Sequence, residues 1–126
     1  MQAETTTKVK KILVVEDEKP LNEVLRKALL HAGFETDPAY DGESALQMLS
    51  QNKYDLVLLD ILLPKLSGID VMTEMSKRRD LTPVIAVTNL GREESKKEIM
   101  SLGAKEYLVK SETPIAEIVK LVQNFN

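Results

Sequence analysis

Acidic side chains come directly after two of the most apolar segments of the chain. Glu16 and Asp17 follow the apolar run Ile12–Val15, and Asp60 follows the run Leu56–Leu59. Short, unbroken apolar runs are typical of parallel β-strands that are covered on both faces. Because the carboxyl ends of parallel strands share one edge of a sheet, we expect these three carboxylates to lie close together.

Two further polar side chains follow apolar runs in the same way. Thr88 follows Val84–Val87, and Lys110 follows Tyr107–Val109. Three neighbouring carboxylates repel one another, so their charged state is unfavourable unless cations compensate it. A divalent ion and the Lys110 ammonium would together offset the three negative charges. Each residue alone also fits an ordinary role, as a turn acid, a strand threonine or a solvated lysine. Their joint placement predicts a hard cation held by oxygen atoms, such as Mg²⁺, Ca²⁺ or Mn²⁺; the charge balance favours Mg²⁺, with Mn²⁺ as the alternative.

The composition narrows the remaining kinds of chemistry. The 126 residues, 43% of them hydrophobic, suffice for one domain with an ordinary core. A net charge of −3, from 17 basic and 20 acidic residues, predicts no broad basic surface for nucleic acid or an anionic membrane. The absence of cysteine excludes disulfides, thiolate zinc sites and a cysteine nucleophile. The single histidine, His31, is expected at the end of a helix and not as a metal ligand.

Nothing in the sequence indicates a membrane segment or a secretion signal. No apolar run approaches the ~18 residues that would cross a bilayer. The first ten residues are polar and rich in threonine. We therefore expect a cytoplasmic location, a flexible tail over residues 1–9 and a single folded domain over residues 10–124.

Five apolar runs alternate with five segments of helical periodicity. The runs are Ile12–Val15, the weaker Phe34–Tyr40, Leu56–Leu59, Val84–Val87 and Tyr107–Val109. The first helical segment ends near Gly33, and the second begins near Asp41. The other three cover about 69–77, 93–102 and 114–123. In the first of them, one buried stripe is predicted at Leu21, Val24, Leu25, Ala28 and Leu29. The alternation predicts an α/β fold, a doubly wound five-stranded parallel sheet in three layers.

The glycines argue against a nucleotide-binding version of this fold. No two of the five glycines stand two residues apart, and none precedes a lysine. The dinucleotide fingerprint and the P-loop are therefore both absent. The first predicted strand is followed by three acids, Glu16, Asp17 and Glu18. A phosphate-binding loop would instead present backbone N–H groups at this place.

Four segments in order resemble the receiver domain of two-component response regulators. They are Lys11–Asp17, Asp55–Pro64 with Ser67-Gly68, Pro83–Thr88 and Gly103–Lys110. The similarity covers nearly the whole chain. It implies a CheY-like, flavodoxin-like three-layer fold with strand order 2-1-3-4-5, and phosphorylation of one aspartate.

The resemblance also implies roles for the acidic residues. Asp60 matches the phosphoacceptor, and Asp17 matches the acid that binds Mg²⁺ directly. Glu16 would act on the metal mainly through water. Leu62, two residues after the acceptor, would contribute its backbone carbonyl to the metal.

Three further residues match the switching part of a receiver domain. Thr88 and Lys110 match the residues that contact the phosphoryl group, and Tyr107 matches the aromatic switch position. Movement of Thr88 and Tyr107 would alter the surface of the fourth helix, fifth strand and fifth helix, where a downstream protein target would bind. The donor would be a sensor histidine kinase or a phosphotransfer protein, or else a small acyl phosphate. The domain would be regulatory and not an enzyme, promoting only its own phosphorylation and dephosphorylation. It would be a monomer or a phosphorylation-dependent dimer, without direct contact to nucleic acid or membrane.

The sequence departs from the family pattern in two places. Ser111 follows Lys110, where many receiver domains have a proline after a cis peptide, so we expect the local loop to differ. Leu62 and Leu90 stand two residues after Asp60 and Thr88. Neither side chain can orient an attacking water, so we expect slow self-hydrolysis of the phosphorylated aspartate.

Two other functions remain open at this stage. An aspartyl-phosphate phosphatase of the haloacid-dehalogenase type would use similar residues but needs an acid two residues after its nucleophile, where this chain has Leu62. A receiver-like interaction module without phosphorylation would keep the fold alone. The sequence also leaves open whether the chain acts by itself or is part of a longer regulator.

Overall fold

The computed structural model describes residues 9–89 and 93–125 and confirms the alternation of strands and helices. The strands are β1 Lys11–Val15, β2 Glu35–Ala39, β3 Leu56–Leu59, β4 Val84–Thr88 and β5 Glu106–Val109. The helices are α1 Lys19–His31, α2 Gly42–Gln51, α3 Gly68–Lys77, α4 Glu93–Ser101 and α5 Ile115–Gln123. All but the last residue of the predicted tail, residues 1–9, lie outside the described part. None of the described helices has both the length and the apolar character needed to cross a bilayer.

The five strands form one parallel sheet in the order β2-β1-β3-β4-β5. This confirms the predicted doubly wound topology. The register pairs Val15 with Leu59, Leu59 with Ala86, and Thr88 with Val109. The carboxyl ends of the four strands β1, β3, β4 and β5 therefore lie along one edge, and the residues that follow them are neighbours.

Apolar side chains cover both faces of the sheet, which explains the unbroken apolar runs. In β3, Val57 and Leu59 point into one core, which they share with buried side chains of α2 and α3. Leu56 and Leu58 point into the other core, which they share with α1 and α5. The result is the predicted arrangement of three layers, helices–sheet–helices.

The predicted buried stripe of α1 was wrong at one position. Val24 has 49% of its surface exposed, whereas Asn22, Leu25 and Leu29 are buried. Their spacing of three and four residues places these three side chains on the line that faces the sheet. Val24 lies beside that line, and a polar residue, Asn22, takes a buried place that apolar periodicity does not anticipate.

Side-chain caps start the helices α2 and α3. Asp41 accepts a hydrogen bond from the Ser44 N–H at 2.7 Å at the start of α2, as its position predicted. Ser67 and Asp70 form a reciprocal capping box at the start of α3. Because α2 follows β2 and α3 follows β3, the capped first turns of both helices lie toward the carboxyl edge of the sheet.

Candidate functional site

Asp60 is the residue immediately after β3, and its carboxylate is almost fully buried. Its backbone N–H donates to the Val15 carbonyl at 2.9 Å, which extends the pairing of β1 and β3 by one residue. The Oδ1 atom accepts from the Leu62 N–H at 3.0 Å, and the Oδ2 atom accepts from Lys110 Nζ at 2.9 Å. Only 5% of the surface of Asp60 is exposed. The carboxylate is therefore held on both oxygens at the edge of the sheet.

Glu16 and Asp17 lie beside Asp60 at the end of β1. Glu16 is buried, accepts from the Glu18 N–H at 3.0 Å, and forms an ion pair with Lys110 through its other oxygen. Asp17 is exposed. One carboxylate oxygen from each of Glu16, Asp17 and Asp60 lies within 4.8 Å of the others. The structure thus brings the three predicted acids together.

Lys110 provides a positive charge between two of these acids. Its Nζ atom contacts both Glu16 and Asp60, and its side chain is largely buried. Burial alone would lower the pKa of Lys110, but the hydrogen bonds from its ammonium to Glu16 and Asp60 outweigh that effect and raise the pKa. The ammonium therefore stays charged at neutral pH.

Burial has the opposite consequence for Glu16. Desolvation raises the pKa of Glu16 above its ordinary value, and the nearby Asp60 charge acts in the same direction. The hydrogen bonds from Lys110 and from the Glu18 N–H lower the pKa, but only in part. Burial and Asp60 therefore disfavour the charged form of Glu16, and Lys110 compensates for this only in part.

The donor set fits a small divalent cation. Carboxylate oxygens are the ligands that Mg²⁺ and Mn²⁺ prefer. The exposed Asp17 leaves the cluster open toward solvent, so that a bound ion could keep water ligands. Lys110 offsets one of the three negative charges, and a divalent cation would offset the other two. The residues present therefore suit the predicted metal.

The other predicted site residues Thr88, Tyr107 and Leu62 lie in β4, in β5 and in the loop after β3. Thr88 is the last residue of β4 and is fully buried. Tyr107, in β5, is half-buried against the core on the α2–α3 side of the sheet, and burial raises the pKa of its phenol. The Leu62 side chain is 54% exposed next to Asp60. Leu90 lies outside the described residues.

Glycine is required where the loop after β3 meets α3. A Cβ atom on Gly68 would lie 2.7 Å from the Ile61 Cα atom and 2.8 Å from the Asp60 carbonyl oxygen. The Gly68 N–H instead donates to the Ile61 carbonyl at 2.9 Å. This close approach of Gly68 to Ile61 fixes the position of the Asp60 backbone and therefore of its carboxylate.

Asn22 supports the site and was not predicted as a site residue. Its fully buried Nδ2 atom lies 3.1 Å from the Val14 carbonyl oxygen, 3.0 Å from that of Glu16 and 3.3 Å from that of Ala39. Its Oδ1 atom accepts from Arg26 Nε at 2.7 Å. Asn22 therefore links α1 to the ends of β1 and β2 and contacts the backbone of Glu16. The sequence signal was a polar residue three positions before Leu25 on the buried line of α1.

The segment after Lys110 adopts a local structure without a cis peptide. No cis peptide bond occurs among the residues described, so the Lys110-Ser111 peptide is trans. Lys110–Glu112 form a short 3-10 turn.

His31, as predicted, is the exposed last residue of α1 and lies outside the acidic cluster.

The family model of the response regulator receiver domain matches residues 12–123. Among curated proteins, the transcriptional regulatory protein CusR of Escherichia coli is 39% identical over 100 residues, which cover 79% of this chain and 44% of CusR. The alkaline phosphatase synthesis transcriptional regulatory protein PhoP of Bacillus subtilis is 37% identical over 105 residues, 83% of this chain and 44% of PhoP. The chain thus spans a little under half the length of these curated relatives.

Solved structures agree with this similarity. The receiver domain of the Francisella response regulator 1452 has a TM-score of 0.85 and 32% identity, covering 90% of this chain and 93% of that one. The Thermotoga maritima response regulator TrrA, solved in complex with Mg²⁺-BeF, has a TM-score of 0.75 and 37% identity, covering 90% of this chain and 98% of that one.

Proposed function

Because this chain belongs to the family of response regulator receiver domains, we propose that it is the phosphoacceptor switch of a two-component system. Asp60 would receive a phosphoryl group from a sensor histidine kinase or a phosphotransfer protein. The observation that carries this proposal is the buried Asp60 carboxylate, which contacts Lys110 and lies within 4.8 Å of carboxylate oxygens of Glu16 and Asp17.

Glu16, Asp17, Asp60 and the backbone carbonyl of Leu62 would hold Mg²⁺, or Mn²⁺ in its place. When bound, the ion would supply positive charge next to the phosphoryl oxygens. Asp17 is the exposed acid of the three and would bind the ion directly. Glu16 is already engaged by Lys110 and by the Glu18 N–H, which supports a role mainly through water.

Asp60 would act as the nucleophile. One carboxylate oxygen forms a bond to phosphorus while the bond from phosphorus to the donor breaks, and the donor nitrogen or oxygen keeps the electron pair. Lys110 already donates to Oδ2 of Asp60 and would also bind the transferred group as a point charge. Burial of Asp60 limits the access of competing water. The reaction is stoichiometric, in keeping with the regulatory character of the family.

Thr88 and Tyr107 would transmit the change. The Thr88 hydroxyl would bind the phosphoryl group, and the population would shift toward the form in which that bond is made. Tyr107 lies in β5, the strand that pairs with β4, and is half-buried, so a movement of its ring would change the surface of this strand. The surface formed by α4, β5 and α5 would then bind a downstream protein.

The remaining properties follow from this role. We propose that the domain comprises residues 10–124 of this chain, preceded by a tail, and that it is located in the cytoplasm. It would be a monomer or a dimer that forms on phosphorylation. The names of the curated relatives describe transcriptional regulation. For this chain we propose a protein target and no direct contact with nucleic acid, because its net charge of −3 offers no broad basic surface.

The decisive experiment is incubation with acetyl phosphate and Mg²⁺, followed by intact-mass spectrometry. We expect a gain of one phosphoryl group in the parent and none in Asp60→Asn. Asp55→Asn is the matched control, because Asp55 lies at the opposite end of β3 and is exposed. A parent that gains no mass would favour the interaction module without phosphorylation. Catalytic turnover of phosphate monoesters would favour the phosphatase.

A further inference from the structure

In the part of the chain that the structure describes, a hydrogen bond joins the loops that follow β4 and β5. Asn89 comes directly after Thr88, and Ser111 comes directly after Lys110. The Oδ1 atom of Asn89 accepts from the Ser111 N–H at 3.2 Å. Since Thr88 pairs with Val109 in the sheet, this side-chain bond continues the contact between the two strands beyond the last ladder pair.

The bond depends on the residue type at position 111. Serine has a backbone N–H to donate, whereas a proline at this position would have none. The 3-10 turn that starts at Lys110 is also held at its other end, where Thr113 Oγ1 donates to the Val109 carbonyl at 2.9 Å. Two hydrogen bonds therefore hold the turn that begins at Lys110, one accepted by Asn89 and one donated by Thr113.

Building on the proposed function, we propose that Asn89 is a positioning residue for Lys110. By holding the Ser111 amide, Asn89 fixes the backbone from which the Lys110 side chain reaches Glu16 and Asp60. A lysine side chain has many rotamers, so a movable backbone would spread its ammonium over many positions. Asn89 does not itself contact the reacting carboxylate; its effect passes through Lys110.

The rate of phosphorylation by acetyl phosphate at saturating Mg²⁺ tests this role. In Asn89→Ala we expect a roughly threefold to tenfold slower rate, the scale of one net hydrogen bond. Asn89→Asp keeps an acceptor oxygen at the same place and should restore most of the rate in high salt, where its added charge is screened. Asn52→Ala removes an exposed asparagine at the end of α2 and serves as the matched control.

A second pair of measurements separates positioning from a general structural effect. In a Lys110→Ala background, Asn89→Ala should cause no further loss of rate, because the residue through which it acts is gone. By nitrogen-15 NMR, the Lys110 ammonium protons should exchange with water faster in Asn89→Ala than in the parent. An equal loss of rate with and without Lys110 would overturn the inference, and so would an unchanged rate in Asn89→Ala.

The outcomes also distinguish the two proposals. A parent that gains no phosphoryl group contradicts the proposed function, whatever the behaviour of Asn89. Ammonium exchange at Lys110 that Asn89→Ala leaves unchanged contradicts the positioning role, and this measurement needs no phosphorylation.

Discussion

Asn22 occupies a position on α1 that faces the sheet, where an apolar side chain would ordinarily pack. It is retained there with all its amide atoms in use, because three backbone carbonyls at the ends of β1 and β2 approach its Nδ2 atom. Its Oδ1 atom is engaged by Arg26. A buried polar group is stable only when it is satisfied in this way. Asn22 thus links the packing of α1 to the position of Glu16.

We expect Asn22→Leu to lower the free energy of unfolding by about 1–3 kcal/mol, because buried polar groups lose their partner. Urea unfolding of the variant and the parent measures this. Asn124→Leu, at the exposed end of α5, is the control and should change stability by less than about 0.5 kcal/mol. Equal unfolding midpoints for Asn22→Leu and the parent would contradict the supporting role.

The side chain of Leu62 offers no hydrogen-bonding group to a water molecule that approaches Asp60. Its exposed side chain stands two residues after Asp60 and has no group that can orient water. We expect Leu62→Asn to lose its phosphoryl group about tenfold faster than the parent, the effect of one hydrogen bond made in the transition state. Release of phosphate after removal of the donor measures the rate. Leu62→Met, which stays apolar, should match the parent, and no acceleration in Leu62→Asn would refute the prediction.

Contacts between residues that are close in the sequence hold the start of α3 against the loop after β3. The capping box of Ser67 and Asp70 starts α3, and the close packing of Gly68 against Ile61 brings that helix onto the loop after β3. Because the contact is made by backbone atoms, it tolerates little adjustment. The position of the Asp60 backbone therefore depends on the start of α3 as much as on β3 itself.

The cap of α2 has a pH dependence that can be measured. The hydrogen bond from the Ser44 N–H lowers the pKa of Asp41 below its ordinary value. The cap therefore contributes stability above the unfolded-state pKa and loses it as pH falls through the lower folded-state pKa. We expect Asp41→Ala to cost about 1 kcal/mol at neutral pH and clearly less in acid. Urea unfolding at both pH values tests this, with Asp41→Asn as the non-titrating cap; a cost independent of pH would contradict it.

In the whole molecule, the acidic cluster exists only when the sheet has formed. Glu16 and Asp60 are separated by 43 intervening residues in the sequence, and the pairing of β1 with β3 brings them together. An unfolded chain therefore offers no comparable site for a divalent ion. Binding of Mg²⁺ should stabilise the folded state by mass action.

We expect Mg²⁺ at about 100 times its Kd to raise the free energy of unfolding by about 2.7 kcal/mol. Thermal unfolding with Mg²⁺ and with a chelator measures the difference. Asp17→Asn should remove most of the stabilisation, whereas Asp55→Asn, outside the cluster, should retain it. Identical melting curves with and without Mg²⁺ would show that the cluster does not bind the ion.

The elements and the acids at the strand ends could be predicted from the sequence because both depend on local patterns. Apolar runs mark strands, periodic stripes mark helices, and a residue that follows a strand must lie at its end. The order of the strands came from the resemblance to receiver domains, since local patterns do not specify which strands are neighbours. The structure confirmed that order.

Only the tertiary structure decided how the long-range partners meet. The burial of Asn22, the exposure of Val24, and the contact of Lys110 with both Glu16 and Asp60 each depend on how distant segments pack. The bond between Asn89 and Ser111 is of the same kind. A sequence specifies which groups are able to pair, but distance and direction between segments arise only when the sheet and helices pack together.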